Sequence, residues 1–124
     1  MQYGASKLKF NAILILMLSL TFNVYASSDD EIAHLLTFVE KTACKYERNG
    51  TMHTGVEAVE HINKKYRYYV DDIESTEDFI RYAATKSTLS GQYYKIHCAK
   101  QTPINSQRWL LTELKLFRQA QSVE

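Results

Sequence analysis

Two cysteines, one proline, four glycines, one tryptophan and no surplus of either charge are what this 124-residue chain has to work with. Each shortage narrows the choice of function. Proline and glycine are too sparse for a low-complexity segment, and no internal repeat is present. A formal net charge of +1 with interspersed signs gives no electrostatic reason to expect nucleic acid or a polybasic membrane patch. The cysteines lack the C-x-x-C spacing of a redox motif. Neither H-E-x-x-H nor G-x-S-x-G occurs. One long apolar run exists, Ala12 to Phe22, and it falls short of the roughly 20 residues a spanning helix needs.

The positive features begin with that run. Lys7 and Lys9 precede it, and Val24-Tyr25-Ala26 ends it with small residues where a signal peptidase reads. The acidic flank Ser27-Ser28-Asp29-Asp30-Glu31 suits export of the downstream chain. The reading is a signal peptide over residues 1–26, with an uncleaved anchor as the alternative. No cysteine follows the cut, which argues against a lipoprotein. The expectation is a periplasmic protein with no stable membrane anchor after cleavage.

Residues 27–124 are then one domain, with no room for a second core. The leader removes two lysines and no acid, so this part carries thirteen basic and fourteen acidic residues. Both cysteines remain. In an oxidising compartment Cys44 and Cys98 most simply form one disulfide, whose loop of about 55 residues contributes roughly 4 kcal/mol at most.

The apolar pattern divides the domain. Ser28 and Glu31 have capping-box spacing, and Ile32, Leu35, Leu36, Val39 and Ala43 follow at helical intervals, which predicts a helix over 29–43. Cys44 to Arg48 alternates, Asn49-Gly50 supplies a tight turn, and Thr51 to Thr54 returns. A second helix, capped by Thr54 and Glu57, should bury Val56, Val59, Ile62, Tyr66 and Val70, leaving Glu57, Glu60, His61, Lys64 and Lys65 on more exposed faces. Ser75 and Asp78 open a third helix ending near Lys86. A loop over Ser87–Gly91 leads to a strand from Tyr93 to Cys98. Pro103 breaks the chain, and Asn105 or Ser106 caps a last helix carrying Trp109, Leu110, Leu114 and Phe117. Parity puts Tyr46 on the same side as Cys44, and Tyr94 and Ile96 on the same side as Cys98. The expected fold is α+β: an antiparallel sheet of about three strands packed on about four helices, with one disulfide.

Candidate chemistry is sparse. His53, Glu57 and His61 lie four apart, but His53 precedes the helix cap, so no metal site is expected. Arg48, His61 and Lys65, with Asn49, could form a carboxylate or anion pocket if the hairpin folds on the second helix. The commoner fate is a surface network in which Glu57, Glu60 and Glu77 neutralise them, and that is the expectation. Ser87 and Ser90 follow a helix and precede a strand, the wrong order for a nucleophile elbow. Six tyrosines between Tyr66 and Tyr94 suit either a binding face or the border of the core.

Arg48-Asn49-Gly50, His61-x-x-x-Lys65, Ile73-x-Ser-Thr-Glu77-x-Phe79-Ile80 and Ser87-x-x-Ser90-Gly91-x-x-Tyr94 occur in one order. In that order the chain resembles the YfeK-like family of small exported proteobacterial proteins, a domain of unknown function, from about Ile32 to Phe117. It departs from the family pattern at Tyr93, where proline is usual, and at Lys86, where serine is usual. The resemblance implies a secreted single domain with no assigned reaction or cofactor. The expected function is a periplasmic binding or interaction module that presents Arg48, Asn49, His61, Lys65, Ser87, Ser90 and Tyr94 to a protein or cell-wall partner. The alternatives are a small serine hydrolase using Ser87 or Ser90 with His61, or an inhibitor or immunity-type protein.

Overall fold

The computed structural model describes residues 25–122, so the predicted signal peptide lies outside the described residues except for its last two. Helix α1 spans Ser28–Lys41. Strands β1 (Lys45–Arg48) and β2 (Thr51–His53) form a hairpin. Helix α2 covers Gly55–Tyr68, followed by a 3₁₀ turn at Val70–Asp72 and by α3 at Thr76–Ala83. Strands β3 (Lys95–His97) and β4 (Ile104–Asn105) precede α4 (Ser106–Gln121).

The architecture is α+β, with four helices against a four-stranded antiparallel sheet of order β2-β1-β3-β4. The expected sheet gains a fourth strand. Beyond the break at Pro103, Ile104 pairs with Ile96 and Asn105 with Lys95, too short a pairing for any alternation to announce. Asn49 and Gly50, at φ of 50° and 79°, make the turn in which Arg48 faces Thr51.

The core lies between one face of the sheet and the helices. Tyr46 and Ile96, cross-strand partners, meet Leu35 and Val39 of α1, Ala58 and Ile62 of α2, Phe79 and Ile80 of α3, and Leu110 and Leu114 of α4. The disulfide joins Cys44 to Cys98 just outside the paired ends of β1 and β3. Two polar links tie the layers together. The Tyr46 hydroxyl donates to the Ala84 carbonyl (3.1 Å) and accepts from Ser106 Oγ (2.8 Å), so the sheet is bonded to the end of α3 and the start of α4. Buried Glu31 on α1 receives Arg118 Nε (2.6 Å) from α4 and Thr76 Oγ1 (2.7 Å) from α3. Because the guanidinium and the hydroxyl both favour its charged form, Glu31 is held below the usual carboxylate range despite desolvation.

Several boundaries shift from the pattern-based reading. The first cap is Ser27 with Asp30, not Ser28 with Glu31, because Glu31 is drawn inward to Arg118. Helix α3 stops at Ala83, where Thr85 Oγ1 bonds back to the Ile80 carbonyl (2.7 Å). Regular pairing in β3 starts at Lys95, with Tyr93 forming only an isolated bridge to Lys86. On α2, Val59, Ile62 and Tyr66 pack on the core as expected, but the buried face is shifted toward Ala58 and Gly55. Gly55, Ala58 and Ile62 face inward while Val56 and Val70 are exposed, and His61 and Lys65 are partly buried rather than solvated. Gly55 sets this shift: a Cβ there would overlap the Val39 carbonyl oxygen and come within 2.9 Å of Glu40 O, so only glycine lets α2 approach the end of α1 so closely.

Candidate functional site

The shifted face of α2 turns His61 and Lys65 toward the sheet. They meet residues from two other segments around an open cavity of about 380 Å³, lined by Arg48, Asn49, Thr51, His53, His61, Lys65, Ser87, Thr88, Leu89 and Tyr94. Six of the seven residues singled out from the sequence line it. The seventh, Ser90, stands behind Asn49, to whose Oδ1 it donates at 2.7 Å.

Hydrogen bonds fix Asn49, His61, Lys65, Ser87 and Tyr94. Asn49 Nδ2 donates to Ser87 Oγ (3.4 Å), and Ser87 Oγ also accepts the Ser90 backbone N–H (3.2 Å). The loop closes on itself through Ser87 N–H to the Gln92 carbonyl (2.9 Å) and Gly91 N–H to the Ser87 carbonyl (3.0 Å). Gly91, at φ of 71°, makes that last bond possible. Tyr94 enters the core with its ring 5.6 Å from that of Tyr46, and its hydroxyl lies 3.0 Å from His61 Nε2. Lys65 Nζ donates to the Lys86 carbonyl (2.6 Å) and to the Tyr94 hydroxyl (3.4 Å), and lies 5.2 Å from the centroid of the Tyr94 ring. With Tyr94 accepting from Lys65, its own proton is free to go to Nε2 of a neutral His61.

The electrostatics match that arrangement. Burial, followed by the charges of Arg48 and Lys65, pushes His61 from its ordinary 6.5 down to about 4, so the imidazole is neutral at physiological pH. Burial and then Arg48 lower Lys65 as well. Burial raises the Tyr94 phenol, against the opposing pull of Arg48.

The expected neutralising network does not form around these groups. Glu57 is bound by His53 Nδ1 (3.2 Å) and by Thr54, Glu77 is in an ion pair with Arg118, and exposed Glu60 is in no ion pair among the described residues. The reason is position: Glu57 closes the N-terminal cap of α2, and Glu77 starts α3 beside α4. Among the described residues Arg48 is in no ion pair, and no acidic residue lines the cavity. His53 and His61 do not converge on a common point with Glu57, because His61 turns to Tyr94. Neither Ser87 nor Ser90 is hydrogen-bonded to His61; Ser87 is buried as an acceptor and the proton of Ser90 goes to Asn49.

Pattern reasoning missed Thr51, Thr88 and Leu89 as lining residues. The only signal was Leu89 itself, an apolar residue at the tip of a polar loop, fully exposed in the fold. The tyrosines divide between the two readings offered for them. Tyr94 is core, Tyr66 packs edge-on to Phe79 (5.1 Å), Tyr69 stacks on Tyr82 (5.3 Å), and Tyr68 is exposed.

Among the described residues no helix is long and apolar enough to cross a membrane. No curated protein and no solved structure matches the chain. A family model does match, over residues 26–118, which takes in every element up to most of α4, and the chain therefore belongs to DUF5329, a family of unknown function.

Proposed function

We propose that this chain is an exported, YfeK-like binding module that offers the Arg48–Tyr94 cavity to a protein or cell-wall partner in the periplasm. One observation carries the reading. Residues from the β1–β2 hairpin, α2 and the Ser87–Tyr94 segment converge on one open cavity, where hydrogen bonds fix Asn49, His61, Lys65, Ser87 and Tyr94 without pairing a nucleophile with a base. Export is supported by the leader-like sequence of residues 1–26, by the disulfide, and by a family match that starts beside the proposed cleavage site. The hydrolase reading has no such support, because His61 is engaged by Tyr94 and both serines serve the loop. An inhibitor or immunity role is one form of the same module, with a toxin as the partner.

The test is affinity capture from periplasmic extract after mild crosslinking, with the tagged mature protein beside its Arg48→Ala and His61→Ala variants. The expected result is a partner recovered by the wild type and lost by both variants, whose thermal stability stays largely intact. Recovery that is equal in all three proteins would put the binding face elsewhere.

A further inference from the structure

The cavity holds charge that the fold does not balance. Among the described residues Arg48, Arg67 and Arg108 are in no ion pair, but Arg67 and Arg108 are exposed to solvent whereas Arg48 is half-buried against the cavity. Lys65 has two hydrogen-bond partners, both of them neutral oxygens. Among the described residues one carboxylate is bonded to a lining residue: Glu57, held by His53 and by the cap of α2. Two cations facing one partly desolvated cavity repel each other and cost stability, and that cost is recovered when a ligand supplies the opposite charge.

We infer that the cavity binds a ligand through a carboxylate group, gripped by the Arg48 guanidinium and the Lys65 ammonium. This rests on the binding-module reading and names the chemistry its ligand presents. The planar guanidinium donates two parallel N–H bonds to a carboxylate, and the ammonium adds a point charge beside it. A phosphate is the weaker fit. The helix N-terminus that would add backbone N–H donors for a phosphate, that of α2 following lining residue His53, is already capped by Thr54 and its own Glu57. The cavity is larger than a carboxylate, and fully exposed Leu89 at its rim provides apolar contact for the rest of the ligand.

Ligand binding is thereby coupled to proton uptake. The charged and titratable groups around His61 are Arg48 from β1, His53 from β2, Lys64 and Lys65 from α2, and Tyr94 from the segment entering β3. The charged neighbours are all basic, and together with burial they keep the imidazole neutral. An anion between Arg48 and Lys65 cancels that repulsion, so the imidazole takes a proton from solvent at a higher pH than in the free protein.

The experiment is a nuclear magnetic resonance titration of the mature protein with sodium acetate, with inorganic phosphate and with sodium chloride at matched ionic strength. The expected result is a saturable response to acetate at Arg48, Lys65 and His61 that chloride does not produce. Arg48→Gln and Lys65→Gln should each weaken it by roughly tenfold or more while the remaining spectrum stays folded. In the wild type acetate should also raise the pH at which the His61 ring titrates, a readout that needs no variant. A response to acetate no greater than to chloride overturns the inference, as does phosphate saturating the site at a lower concentration than acetate. If acetate fails while partner capture still depends on Arg48, the carboxylate assignment falls and the binding module stands. If acetate binds as expected while capture ignores Arg48, it is the partner face that falls.

Discussion

Acidification from about pH 7.5 to about pH 5 destabilises the fold through His61, and His61→Gln removes that part of the loss. In the folded chain the imidazole is pushed from 6.5 down to about 4, by burial first and then by Arg48 and Lys65. Between those two values the unfolded chain binds a proton that the folded chain does not. The contribution of a neutral His61 is therefore complete above the unfolded value and shrinks as the pH falls towards the folded one. The whole displacement corresponds to about 3 kcal/mol, of which about 2 kcal/mol is lost by pH 5. The ring is only partly buried, and solvent screening brings this to about 1 kcal/mol. Urea unfolding of the wild type and of His61→Gln at both pH values measures it. Glutamine does not titrate, and its carbonyl can still accept from Tyr94. His34 and His97 lie elsewhere in the fold and are common to both proteins, so their effects cancel in the difference. Glu31, Glu57 and Glu77, all held below the usual carboxylate range, act at lower pH than this window. Equal losses in the two proteins would refute the reasoning, since His61 would then be solvated and free of its basic neighbours.

Three further perturbations test the frame that carries the site. Tyr46→Phe deprives fully buried Ser106 Oγ of its acceptor and the Ala84 carbonyl of its donor, and should cost about 2 kcal/mol by denaturant unfolding; a cost under about 0.5 kcal/mol would mean those groups find other partners. Gly55→Ala places a methyl group against the Val39 and Glu40 carbonyls and should lower stability by about 1–3 kcal/mol while widening the cavity, which the His61–Tyr94 contact reports as a shift in the His61 ring signals. Replacing Cys44 and Cys98 together by serine opens a 54-residue span and should cost up to about 4 kcal/mol, or roughly 20 °C in melting temperature by calorimetry. An unchanged melting temperature would show that the crosslink constrains little in the unfolded chain.

The α+β class, the order of elements, the hairpin at Asn49-Gly50 and the inward parity of Tyr46 and Ile96 could all be read from the chain. These rest on local rules, in which periodicity, caps and a φ > 0 turn act within a few residues. The same rules missed β4, whose two residues owe their strand geometry to Ile96 and Lys95 across the sheet. On the buried face of α2 they placed Val59, Ile62 and Tyr66 correctly against the core but missed Ala58 and Gly55, and wrongly buried Val56 and Val70, the latter beyond the end of α2. Steric fit decided that face, through Gly55 against the Val39 carbonyl. The candidate site shows the same division. Arg48, His61, Lys65, Ser87 and Tyr94 stood out as residue types in a recognisable order, but sequence spacing could not say which acids would neutralise the bases. Tertiary packing did, by committing Glu57 to a helix cap and Glu77 to Arg118, so that positive charge is left facing the cavity. Charge balance depends on distances between segments far apart in the chain, and only the packed fold sets those distances.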